Sequence, residues 1–281
     1  LIDKRVLSIT PQDRLIVCAN FLDWRKEDQI GDKNTMPDNP GLGEHALNKA
    51  AEIGLSSQLD EVENLDVNIQ TDPFKLIQGE VDSVTIEGEG LVMQKDLRMQ
   101  EMEMHTGSVA INPLSAAFGK IELTKPAKGT ARVVLTQEDI NRAFNSDYVR
   151  SQLQEQKIHI NGQSRTIVTQ QVDFRLPGNN KVTLSANVIL KETNENHKVA
   201  FSAVPKVSGN GQTVSLENVE YAETQEVSPE LTKALVNATS KILNLSNFDL
   251  EGMTLRIKQL EAEQGKLIIQ AEAFVEQIPT G

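Results

Sequence analysis

The sequence predicts an α+β fold with long antiparallel strands, and three observations carry that reading. Apolar residues alternate with polar ones in many consecutive segments, which sets one face of each strand on a core and the other in water. Helical periodicity and capping signals occur in a few short segments before and between blocks of such strands. No apolar run approaches the ~20 residues a membrane-spanning helix needs; the longest, Leu15–Leu22, is flanked by Asp13, Arg14 and Asp23.

The first segment is the least regular. Residues 1–35 mix charges without a sustained period, and Gly31–Pro40 is rich in turn formers. Residue 1 is Leu and the first Met is Met36, which fits a processed chain, a truncated one or a non-standard start. Residues 1–40 are therefore expected to form a loosely ordered arm, and residues 41–281 a single domain. The only cysteine, Cys18, follows Leu15, Ile16 and Val17 in a loose likeness of a lipoprotein processing site. Val17 stands where a small residue is expected and Asp13 and Arg14 interrupt the apolar stretch, so an inert cysteine is the better reading.

Glu44–Leu59 is the first strong helix. Ala46, Leu47, Ala50, Ala51, Ile53 and Gly54 recur at spacings of three and four, giving an apolar face of mostly small side chains. The period then becomes two. Leu65, Val67 and Ile69 alternate with polar residues, a break follows at Thr71–Pro73, and Val84, Ile86, Leu91 and Met93 resume the pattern. Gly88 and Gly90 predict a bulge or tight turn. Leu97 and Met99 run one step out of phase with Met102 and Met104, which predicts another. Val109 and Ile111, then Ile121–Leu123 and Ala131–Leu135, continue as strands. Thr136 with Asp139 three residues later resembles a capping box, and Ser146 caps a second short helix through Leu153.

The C-terminal half repeats the theme. Ile167–Leu176 and Val182–Leu190 flank the hairpin signal Pro177–Asn180. Val199–Val204 and Val214–Tyr221 flank a second turn at Ser208–Gly211. Ser228, Pro229 and Glu230 open a helix whose Leu231, Leu235, Ala238 and Ile242 share one face. Thr254–Leu260 and Lys266–Val275 are the last strands.

Composition excludes several functions. Forty acidic against 28 basic residues leave a formal charge of −12, which repels nucleic-acid phosphates and opposes electrostatic attachment to an anionic membrane. Aromatics are only 4%, too few for base-stacking platforms. No nucleic-acid partner is expected. Among His45, His105, His159 and His197 no pair has metal-ligand spacing, so neither a metal nor a cofactor is expected. Gly-x-Ser-x-Gly and Gly-Lys-Ser/Thr motifs are absent, Gly41–Gly43 lacks the rest of a dinucleotide fingerprint, and Glu101 and Glu103 lie at strand spacing on a wet face. Asn237–Thr239 and Asn244–Ser246 match the glycosylation pattern at chance frequency. No catalytic residue is expected. The one feature with functional colour is Met93, Met99, Met102 and Met104, four of six methionines within a dozen residues. Thioethers adapt to irregular apolar partners, although pattern alone favours core filling.

The blocks LSSQLDEVENLDVNI, TDPFKLIQGEVDSVTIEGEGLVM, DLRMQEMEM, INPLSAAFGKIEL and ARVVLTQEDINRAFNSDYV, within Leu55–Val149, resemble the LmeA-like phospholipid-binding family of bacteria. The later strands and helix match in order and length, so the likeness extends from about Gly41 onward. The resemblance implies a strongly curved antiparallel sheet wrapped around amphipathic helices, as in tubular lipid-binding (BPI-like) proteins, and enclosing an apolar channel. It implies phospholipid or a related membrane lipid as ligand, transient membrane contact, transfer as a further role, and no catalytic residues. On that reading Leu47, Ile53, Val84, Ile86, Met93, Met99, Met102, Met104 and Leu235 line the channel. The expected compartment is the cytoplasm, peripheral to internal membranes, or the periplasm if an export signal precedes this chain. Unpaired sheet edges leave a homodimer open. The competing readings are a scaffold with a filled core that meets a protein partner at a sheet edge, and an enzyme acting on lipids, disfavoured for want of a nucleophile and base.

Overall fold

In the computed structural model, residues 40–57, 59–93, 95–110, 112, 123–153, 156–160, 162–221, 229–242 and 253–276 are described. Helix α1 (Pro40–Ser56) precedes β1 (Asn64–Gln70), and the five-residue helix α2 (Pro73–Ile77) leads into β2 (Glu80–Val81). There follow β3 (Ser83–Met93), β4 (Leu97–Thr106), β5 (Val109–Ala110), β6 (Ala127–Thr136) and helices α3 (Gln137–Asn145) and α4 (Asp147–Leu153). Then come β7 (Gln156–Ile160), β8 (Gln163–Gly178), β9 (Lys181–Leu190), β10 (Glu195–Ser208) and β11 (Thr213–Tyr221). Helix α5 (Pro229–Ile242) and the hairpin β12 (Met253–Glu263) and β13 (Lys266–Val275) are the last elements among the described residues.

The strands form two large antiparallel sheets. One has the order β1-β3-β4-β6-β13-β12, the other β11-β10-β9-β8-β7, and β2 pairs only with β5. Sheet outweighs helix more heavily than an even α+β mixture would, and the antiparallel sheet curls as a half-barrel. Helix α5 packs on β7, β10 and β11, so it reaches from one edge of the five-stranded sheet to the other. Its Leu231, Thr232 and Val236 are buried there.

The two sheets meet tip to tip. The β8–β9 turn bonds to the β12–β13 hairpin through Asn180 N–H to Ala262 O (3.0 Å), Ala262 N–H to Asn180 Oδ1 (2.8 Å) and Gly265 N–H to Leu176 O (2.9 Å). One cluster joins both sheets: Phe174, Leu176, Val182, Phe201 and Ala203 pack with Ile140, Val236 and Ala262.

Several sequence signals take the expected form. Thr136 Oγ1 accepts from Asp139 N–H, and Asp139 Oδ2 accepts from Thr136 N–H, which completes the capping box. Ser146 Oγ accepts from Val149 N–H at the start of α4. Asn179 and Asn180 have φ 54° and 57°, which gives the two-residue β8–β9 hairpin its left-handed turn. The bulges predicted in β3 and β4 do not occur. Those strands pair from Val84 with Thr106 to Met93 with Leu97 without a register shift. Gly90 instead takes φ 60° within the strand, and Leu91 and Val92 beyond it are both buried. Thr71–Pro73, read as a simple break, opens α2: Asp72 accepts from Phe74 N–H (2.8 Å), with Pro73 in the first turn. The arm before residue 40, Cys18, Ile121, Glu122 and Asn244–Ser246 lie outside the described residues.

Candidate functional site

Directly opposed residues of an antiparallel pair project to the same face, so register traces side-chain rows across the six-stranded sheet. One row runs Val67, Ile86, Met104, Ala131, Ala271, Ile257 from edge to edge. The next runs Leu65, Gly88, Met102, Val133, Ile269, Leu260. Neither row contains a polar side chain. A third, Ile69, Val84, Thr106, Gly129, Ala273, Leu255, contains a single hydroxyl.

Side-chain size varies along these rows. Gly129, Ala131, Ala271 and Ala273 occupy β6 and β13, between Met104 and Thr106 on one side and Leu255 and Ile257 on the other, beside Val133 and Ile269 on the row of Met102. We term this stretch of small residues between larger ones on the apolar face the trough. Burial varies with it. At one end Val67, Ile69, Val84 and Ile86 are closed off under Ala51 and Leu55 of α1. At the far end Leu135, Leu267 and Ala262 enter the cluster shared with the second sheet. In between, Met102, Met104, Ala131, Val133, Ile269, Ala271, Ala273, Leu255 and Ile257 are only half-buried.

The opposite face is charged. Glu101 and Glu103 alternate with the two methionines, and Arg132 meets both carboxylates, at 3.2 and 3.6 Å. At these positions β4 is thus apolar on one side and ion-paired on the other, as strand alternation requires, while the row through Glu101 continues into the apolar Val134 and Ile268.

Polar side chains fix both ends of the face. Asn48 Oδ1 accepts from Ile69 N–H (2.9 Å), supplying β1, an edge strand, with a partner from α1. Arg98 donates to Glu63 (2.7 Å) and to the buried Asp139 (3.2 Å), tying the start of β4 to α3. Its guanidinium is held above its ordinary range, chiefly by the hydrogen bond to Glu63.

A comparison with family models bears directly on this face: the model of LmeA-like phospholipid-binding proteins matches residues 40–272. The chain belongs to the LmeA-like phospholipid-binding family. The match begins where α1 begins and ends within β13, so it takes in strands of both sheets and most of the trough floor. No curated protein and no solved structure matches the chain.

Within this LmeA-like chain the residues singled out from sequence fall into separate places. Met102 and Met104 stand side by side on the apolar face and pack against the α1-covered cluster, to which Val84 and Ile86 themselves belong. Met93 and Met99 are half-buried and lie outside that cluster. Ile53 is 63% exposed on α1, where it lines an open groove with Val62, Leu65 and the charged side chains of Lys49, Glu52 and Glu63. Lys49 bonds to Glu52 at 2.7 Å in that groove. Leu47 and Leu235 lie on α1 and α5, but their side chains fall outside the described residues.

Sequence reasoning missed the C-terminal half of the trough. Leu255, Ile257, Ile269 and Ala271 were legible as strand residues, but their neighbourhood with Met102 and Met104 depends on β13 pairing with β6. Among the described residues no cluster of three His, Cys, Asp or Glu side chains could hold a metal ion. No helix among them is long and apolar enough to cross a membrane.

Proposed function

We propose that the half-buried middle of the apolar face holds an acyl chain of a phospholipid or related membrane lipid. The supporting observation is the pair of uninterrupted rows through Met102 and Met104, in a chain of a phospholipid-binding family. Burial contributes about 0.8 kcal/mol per CH₂ group, so one long chain offers on the order of 10 kcal/mol before ordering costs. No charged anchor is required, which suits a chain of net charge −12. The unbranched methionines let the trough accept tails of different shape.

On this reading the protein is a binder, not a catalyst, and residues 41–281 work as one unit. The half-barrel curl of the antiparallel sheet supports a tubular, BPI-like channel, in which the lipid covers the part of the apolar face that α1 leaves open. Transfer between membranes follows if the lipid enters and leaves by contact with a bilayer.

Native mass spectrometry of gently purified full chain, followed by lipid extraction, tests the proposal. A stoichiometric phospholipid is the expected result. Protein that is empty and also refuses phosphatidylcholine offered in vesicles would overturn it, leaving the scaffold reading.

A further inference from the structure

The exposed large apolar side chains are not scattered evenly. Phe74 is 76% exposed, Ile77 77% and Leu76 43%, and all three stand on α2. This five-residue helix buries none of its own residues.

We propose that α2 is a membrane-insertion tip, which seats Phe74, Leu76 and Ile77 at the interface of a phospholipid bilayer. The inference deepens the lipid reading by naming where the protein meets the membrane, and it rests on that reading for the source of the ligand.

The tip is built to present these side chains. Asp72 caps the helix through Phe74 N–H, Leu76 N–H bonds to Asp72 O at 3.0 Å, and Gly79 N–H bonds to Leu76 O at 3.0 Å. Thr71 Oγ1 donates to Glu80 O (2.9 Å) and closes the base of the loop. Backbone groups that are already paired can enter the interface without losing hydrogen bonds to water. A preformed tip also loses little conformational freedom on docking.

Charge selects the kind of surface. Lys75 bonds to Asp82 at 2.6 Å and Lys125 to Glu80 at 2.9 Å, so both tip lysines are matched by the protein's own carboxylates. With Asp72 unmatched, three acids and two lysines leave the tip at −1. Such a tip gains nothing from anionic lipid and fits a zwitterionic interface. A protein partner or second copy fits less well. Three side chains on one turn fall short of the roughly 800 Å² per partner that a stable interface buries.

Position agrees with function. Helix α2 connects β1 to β2 and β3, and Ile69 and Val84 on those strands begin one of the rows of the apolar face. Docking at α2 sets that end of the face against the bilayer.

The test is flotation of the full chain with phosphatidylcholine vesicles at low and high salt, beside Phe74→Ser combined with Ile77→Ser. The wild type should float at both salt concentrations, and the double variant should bind at least about tenfold more weakly. Phe74→Trp should show a blue-shifted emission on adding vesicles. Lipid occupancy by native mass spectrometry, measured on the serine variant, should stay at the wild-type level once the protein is loaded. Equal flotation of variant and wild type would overturn the proposal. So would binding that needs anionic lipid and vanishes in salt, or a wild-type dimer that the serines dissociate without any vesicle binding. Vesicle insertion by a protein that never carries lipid would leave the tip standing and remove the lipid-binding reading instead.

Discussion

The side-chain amide of Asn141 pairs with the backbone of Phe174 as a neighbouring strand would: Phe174 N–H donates to Oδ1 (2.8 Å) and Nδ2–H donates to Phe174 O (2.7 Å). Asn145 does the same for Val172, and Gln137 Oε1 accepts from Leu176 N–H. Residues four apart on α3 thus meet residues two apart on β8, because about 6 Å of helix matches nearly 7 Å of strand. Strand β7 pairs with β8 only as far as Ile167, and this amide ladder occupies the edge beyond it.

Asn141→Ala should therefore cost about 2–4 kcal/mol, since two partly buried backbone groups lose their partner at once. Asn141→Asp keeps the acceptor for Phe174 N–H but sets a carboxylate against Phe174 O, and should be no better tolerated. Urea denaturation checks both. A midpoint unchanged in the alanine variant would mean that water replaces the ladder without loss.

A second prediction concerns the joint between the sheets. Gly211 has φ 87° and is buried, and a Cβ there would collide with the carbonyl oxygen of Ile257 on β12. Gly211→Ala combines left-handed strain with a clash against backbone, and should destabilise by about 2–4 kcal/mol. Gly162 has φ 77° with nothing within 4 Å of the same atom, so Gly162→Ala isolates the conformational part at about 1 kcal/mol. Thermal unfolding of the pair separates the two contributions. Equal shifts would show that the turn does not bear on β12.

What the sequence disclosed and what it withheld divide by range. The Thr136–Asp139 box and the Pro177–Asn180 hairpin are local, and the backbone obeys them because each satisfies its own donors and acceptors. The pairing of Asn141 and Asn145 with β8 has no local signal, because nothing near them in sequence says that a strand edge lies opposite. The trough is the clearest case. Its floor joins residues 127–136 to residues 266–275, a pairing no local period encodes. Alternation gave each strand its apolar face, but strand order decides which faces become neighbours.

Acid should act on a solvent-exposed contact between β9 and β11. Glu220 accepts from Lys181 (2.8 Å) and Ser202 (3.1 Å), and its pKa is lowered from 4.5, chiefly by the hydrogen bond from Lys181. A lowered folded-state pKa contributes stability that is present above 4.5 and lost as pH falls through the folded value. Glu220→Gln should thus be less stable than wild type near neutrality, by a small margin given the exposure, and should converge with it in acid. Denaturation series across pH would show this as a shrinking difference. A gap that is constant with pH would assign the effect to packing.

The decisive substitutions lie on adjacent positions of one strand. Met102 and Met104 face the apolar rows, whereas Glu101 and Glu103 face outward to Arg132. Replacing both methionines by Glu puts two charges where an acyl chain would lie, and each charge resists leaving water. Lipid uptake should be abolished while the half-buried positions let the fold survive, as far-UV circular dichroism would confirm. Glu103→Met, on the charged face, should leave uptake unchanged. Because Met102 and Met104 also touch the cluster under α1, an apolar probe is needed beside the charged one. Ala271→Phe fills the trough floor from β13 without adding charge, and should lower occupancy by native mass spectrometry through volume alone. Full occupancy in both the double glutamate and the phenylalanine variants would place the lipid elsewhere.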